Sequence, residues 1–281
     1  MVAIGIAAII VSVSLSAIQI ARIASLRADN ANKLRQIILA THDYSSANSD
    51  AMPAFDAYYS MNGGEGVFGP ILPFMSEGNA LPRFAELPGF KYMPECISLA
   101  DSSFQLHLVE DIETGGVRHL FGDISFAANW QGFRPHYNLT TSYPDGASST
   151  IAFTERYSLC GKTGSMWSWS SAPCLDVQME TFCKCVNSPP MRRATFADVN
   201  YDDVMPITNN GVTTPSLVGK SFQLAPKIEE CDYRIPQSPF SSSMTVAFFD
   251  GSIKSLRGNA APPVFWSLIT PSGGEIGNDF R

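Results

Sequence analysis

The first charged residue in the chain is Arg22, and the stretch Met1 to Ala21 ahead of it is uncharged. With no Lys or Arg before Arg22, the basic start of a cleaved secretory signal is missing. After Gly5 there is neither glycine nor proline until Pro53, so the usual helix breakers are missing from a long segment. Charge is scarce overall, at 16% of 281 residues, and the balance is acidic, at -7. That leaves no basic footprint for nucleic acid, which is excluded as the main partner. There is no nucleophile elbow, no HExxH and no phosphate loop, so the common hydrolase and nucleotide motifs are absent. There is no CxxC pair, and the histidines (His42, His107, His119, His136) all precede five of the cysteines, which disfavours a zinc site. No internal repeat and no βαβ rhythm is present, which excludes solenoids and doubly wound sheets.

The uncharged run is just long enough to span a bilayer, which takes about 20 apolar residues. It does not stop as a lone anchor would. Ile20, Ile23, Ala24, Ala28, Ala31, Leu34, Ile38 and Thr41 recur at steps of three and four, forming one apolar stripe. The spacing predicts a single helix over residues 1–48, with Pro53 beyond its end. A rod of about 45 residues is roughly 68 Å long. Its first half is apolar all round and suits lipid or other rods. Its second half is amphipathic and suits a folded head at 49–281. Gly5, Ala7, Ala8, Ser12, Ser14 and Ser16 are small, which favours close helix–helix approach. Ile4, Ala8, Val11, Leu15 and Ile18 form the expected packing seam. Arg22, Arg27, Lys33 and Arg35 follow directly, and the positive-inside bias alone would keep that end cytoplasmic. The cysteines argue the other way.

Those cysteines are Cys96, Cys160, Cys174, Cys183, Cys185 and Cys231, all outside the helix. An even count behind an apolar leader predicts disulfides in an oxidising compartment, with the pairing open. Cys183 and Cys185 are too close to bridge each other and should reach two partners. Glycines and prolines scattered through the head predict many turns. Residues 51–94 read as loops clamped to a core by interleaved aromatics. Strands are expected within 102–112, 117–130, 149–158, 165–171, 221–225 and 244–256, making an antiparallel sheet. Asp250-Gly251 is expected to supply the positive φ angles of a tight hairpin turn.

Side chains with possible chemistry have bland readings beside them. His42 is expected to be solvated or to pack on the head. Glu155-Arg156 is expected to form an edge-strand salt bridge, with a buried ion pair as the rival. Asp198, Asn200 and Asp202 space their oxygens like the start of a calcium loop. The central glycine of such a loop is missing, its twelfth position is Asn209, and a plain acidic turn competes with it. Calcium is the one cofactor the sequence suggests. Asn138-Leu139-Thr140 matches a glycosylation triplet. Trp167 and Trp169 read as core, with a sugar platform as the rival.

Several segments together resemble one family. VAIGIAAII through LRQIILATHDY at 2–44, DGASSTIAFTERY at 145–157, MTVAFFDGSIKSL at 244–256 and FWSLITPSGGEIGNDF at 265–280 are similar to prepilin-like proteins. The type is the domain-of-unknown-function 1559 group of planctomycete-like bacteria, which ends in an H-X9-DG segment. The resemblance implies an α+β pilin-like fold, with a long N-terminal helix and an antiparallel β-rich head. It implies a structural, non-enzymatic subunit that is stored in the inner membrane and then polymerises with copies of itself. The expected partners are lipid and a pilus or secretion assembly machinery, and calcium binding is known among such folds. Three positions depart from the pattern: no glutamate stands at the fifth position, Ser16 replaces the helix-breaking proline, and Phe240 replaces the segment's histidine. The alternative is a membrane-anchored extracytoplasmic binding protein, for example for glycans, that does not polymerise.

Overall fold

The computed structural model describes residues 2–55, 66–75, 94–104, 108–111, 117–119, 123–167, 183–184, 191–198, 207–209, 212–214 and 220–273. Side chains at 2–13 and in several short strands lie outside that description.

Helix α1 runs from Val2 to Ala47, 46 residues, or roughly 69 Å of rod. The absence of proline and of glycine beyond Gly5 lets it continue unbroken. It ends by backbone geometry rather than at a glycine. Ser49 takes φ 56° and Asp50 φ 71°, and the Asp50 N–H donates to the Ser45 carbonyl at 2.9 Å. That closure is the left-handed helix stop usually built on glycine.

The head is organised on a five-stranded mixed sheet. Its strands are β1 (Phe126–Asn129), β2 (Ile151–Glu155), β3 (Thr195–Phe196), β4 (Ser243–Phe248) and β5 (Ile253–Arg257), in the order β5-β4-β2-β1-β3. All neighbours are antiparallel except β1 and β3. The chain is therefore mixed α+β, with one long N-terminal helix and a sheet-rich head. The purely antiparallel expectation is corrected. Parallel pairs also join 163–166 to 191–193 and 223–224 to 237–238. These contacts span only two or three residues each, and alternation of side chains does not encode strand direction.

Both faces of the sheet are covered, which is why β1 and β2 are buried at every position. On one face Phe126, Ala128, Phe153, Ala247 and Phe249 pack against Leu34, Ile37, Ile38 and Ala40 of α1. Phe68, Ile71 and Leu72 of helix α2 (Phe68–Met75) complete that core. On the other face Ala127, Ile151, Met244, Val246 and Phe248 meet Phe265 and Trp266 of helix α3 (Pro262–Ser267). Each fully buried Leu, Ile or Phe contributes about 1.5–3 kcal/mol. α2 falls in a stretch read as loop from its prolines. Its apolar face docking on α1 outweighs that signal, and Tyr44 of α1 meets Phe74 edge-on at 6.1 Å.

The hairpin between β4 and β5 forms as expected, with a different turn. Only Gly251 has positive φ (87°), and Asp250 does not. The Gly251 N–H donates to Phe248 O at 3.0 Å and the Phe248 N–H to Ser252 O at 2.9 Å. This is a three-residue loop with glycine in the left-handed position, not a two-residue Asp-Gly turn.

Cys160 and Cys231 form a disulfide across 71 positions, with a Cα separation of 5.2 Å. Cys96 does not join in. Its thiol is fully buried in the α1 core and free, so its assignment as a bridging cysteine is corrected. Burial pushes that thiol well above its ordinary pKa and keeps it protonated. Cys174 and the side chains of Cys183 and Cys185 lie outside the described residues.

Candidate functional site

The apolar stripe of α1 divides into two lengths with different neighbours. From Asn30 onward it faces the head: Asn30, Leu34, Ile37, Ile38, Ala40, Thr41 and Ser45 are all buried. From Ser14 to Ser25 every side chain is exposed. Those residues carry the rod about 18 Å clear of the head. The first two residues of the expected stripe do not pack on the head: Ile20 is 70% and Ile23 45% exposed. Of the expected packing seam, Leu15 is 56% and Ile18 63% exposed. Ile4, Ala8 and Val11 are helical, with side chains outside the described residues. Among the described residues, no helix is long and apolar enough to cross a membrane.

The seated half of the rod is held by polar contacts as well as by packing. At its centre is Glu155, 1% exposed at the end of β2. The Asn30 amide donates to Glu155 Oε1 at 2.8 Å. The Ser238 hydroxyl at 2.6 Å and the Thr245 backbone N–H at 3.0 Å donate to Oε2. Asn30 in turn accepts from the Ser98 hydroxyl at 2.7 Å. One carboxylate thus ties α1, β2, β4 and the short strand at 237–238 together, and through Asn30 the loop at Ser98. Among the described residues no cation touches it. Desolvation raises its pKa, against the lowering effect of the Ser238, Asn30 and Thr245 hydrogen bonds.

Three further contacts flank this lock. Arg27 lies 5.0 Å over the Phe240 ring and donates to Ser242 at 2.6 Å. Phe240 here serves as a face for a guanidinium. Lys33 donates to the Ile97 carbonyl and pairs with Asp29 at 3.2 Å. His42 Nε2 lies 2.8 Å from the Phe249 carbonyl, which can only accept, so Nε2 carries the proton. His42 is therefore head-packed, the second of the two readings open for it.

Other expectations are corrected. Glu155 and Arg156 form no edge salt bridge. β2 is the central strand, and the two side chains point to opposite faces. The buried Arg156 guanidinium donates to the carbonyls of Thr195 and Tyr233. Asp198 is fully buried and is not presented as a calcium ligand. Its oxygens take the Arg193 guanidinium at 2.5 and 2.8 Å and the Thr195 hydroxyl at 2.7 Å. Asn200 and Asp202 lie outside the described residues, and no metal-ligating cluster occurs among the described ones. Trp167 is core and Trp169 is outside the description. The Thr140 hydroxyl donates to Asp50 at 2.5 Å, tying the glycosylation-like triplet to the helix stop.

The sequence reading missed Asn30 and Glu155 as partners. A signal existed: Asn30 is a polar residue four before Leu34 on the apolar stripe, where it must be satisfied once buried. No protein-family model matches this chain, and neither the curated proteins nor the solved structures contain a significant match.

Proposed function

We propose that the chain is a structural subunit of a type IV pilus-like or pseudopilus filament, polymerising through α1. The observation that carries this reading is the contrast along one helix. Its lower half is locked into the head through Glu155, while Leu15, Ile18, Ile20 and Ile23 stand exposed on the projecting length. Four large aliphatics on an extended rod need an apolar neighbour. Lipid serves before assembly and sister helices serve afterwards, with close packing and apolar burial as the cohesive terms. The head, tied by Cys160–Cys231, forms the outer surface in an extracytoplasmic, oxidising setting. No catalytic role is assigned, because the buried polar groups described above hold the fold.

Electron microscopy of material sheared from the cell surface tests this directly. Fibres whose mass spectrum returns this chain are expected. A chain recovered only as a detergent-soluble monomer, with no fibres, overturns the proposal in favour of a membrane-anchored extracytoplasmic binding protein.

A further inference from the structure

We infer that Arg22 of one copy pairs with Asp43 of a parallel neighbour, and that this pair sets the stagger between subunits. The inference rests on the filament reading and goes beyond it by naming the contact. Arg22 continues the seam of Leu15 and Ile18, at i+7 and i+4 from them. If sister rods cover that seam they also cover Arg22, the first charge in the chain. An unpaired cation in an apolar contact is costly, so the partner surface must present an anion. Arg22 has no partner among the described residues of its own chain.

On the rod itself the candidate anions are Asp29 and Asp43. Asp29 is already paired with Lys33 at 3.2 Å. Asp43 is exposed and has no partner among the described residues. It sits one turn beyond Leu39, a leucine left 51% exposed on the side of α1 away from the head. Ile18 stands one turn before Arg22 in the same way, 63% exposed. Ile18 to Leu39 and Arg22 to Asp43 are the same separation, 21 residues, or about 31 Å of helix. A parallel copy displaced by that length, and turned about its axis so that its Ile18–Arg22 face opposes the Leu39–Asp43 face, sets aliphatic against aliphatic and cation against anion together. The angular drift over such a length is about 60°, at about 20° per seven residues. A displacement of 16 residues would set Ile23 and Arg27 against the same two positions, but Arg27 is committed to Phe240 and Ser242.

The test uses the full-length chain. Arg22→Asp and Asp43→Arg are each expected to reduce sheared filament yield by about tenfold or more. The exchange Arg22→Asp with Asp43→Arg is expected to restore it. Both side chains are exposed, so the melting temperature of the head should not move, which separates an assembly defect from a folding defect. As a second measurement, Ile18→Cys with Leu39→Cys should give a ladder of cross-linked copies on oxidation, with the 18–39 link identified by mass spectrometry. Wild-type yield from both reversals, or filaments of the cysteine pair without the 18–39 link, overturns this contact and leaves the filament reading standing. Absence of filaments from the wild-type chain overturns both.

Discussion

Glu155 is the most informative residue to perturb, because two substitutions at it should differ sharply. Alanine removes an acceptor that satisfies Asn30, Ser238 and the Thr245 N–H, all inside the core. The Thr245 N–H cannot rotate away, and a buried donor left unsatisfied costs about 1–3 kcal/mol. The deleted methylenes and the cavity add to that, so Glu155→Ala should cost about 3–5 kcal/mol. Glutamine can be accommodated. Its amide can stand where Oε1 stood if the Asn30 amide flips, and Ser98, now the donor to Asn30, can then accept from it. Its oxygen keeps Ser238 and Thr245. Glu155→Gln should therefore cost no more than about 1 kcal/mol near pH 4.5. The two should diverge again with pH. Burial raises the folded pKa of Glu155 above its ordinary 4.5. In the window above 4.5 the folded state thus holds a proton that the unfolded chain has lost. Wild-type stability then falls as pH rises through that window, by at most about 1.4 kcal/mol per pH unit. Glutamine lacks this term, so the variant should gain on the wild type from pH 4.5 toward neutrality. Urea unfolding at several pH values measures both effects. Equal losses for alanine and glutamine, or a wild-type-to-glutamine difference flat in pH, would refute the reasoning.

The remaining predictions concern the scaffold. Replacing Cys160 and Cys231 by serine opens a loop of 71 positions and should lower stability by about 4 kcal/mol, measured by denaturant midpoint with and without reductant. Gly132→Ala would place a methyl 2.5 Å from the Phe249 ring, which is itself stacked on Tyr143 at 4.2 Å. A loss of about 1–3 kcal/mol is expected by thermal melting. Asp198→Ala removes the carboxylate paired with the buried Arg193 guanidinium and should cost about 3–5 kcal/mol, with rescue by no concentration of calcium. Cys96 should resist alkylation in the native protein and react once unfolded, as peptide mapping would report.

The sequence carried the long helix well, because nothing in residues 6–47 breaks it and Pro53 limits it. The hairpin at 243–257 was legible from alternation at Thr245, Ala247 and Phe249, which face α1 in the structure. What could not be read was mostly long-range. Asn30 and Glu155 are 125 positions apart, and no local pattern pairs them. The direction of β3 beside β1 is set by where a long connection returns, not by its two residues. Asp198 looked like a metal ligand because spacing alone cannot reveal that Arg193 folds onto it. Cys96 looked like a bridge partner because cysteine counts do not report which thiols are enclosed by the core.

In the proposed filament the exposed aliphatics of the projecting rod join copies of this chain. Electron microscopy of sheared material from cells making the Leu15→Asp, Ile18→Asp double variant, beside the wild type, tests it most directly. Fibres are expected from the wild type and none from the variant, with an unchanged melting temperature of the variant's head. Fibres in undiminished number from the variant, or none from the wild type, would contradict it.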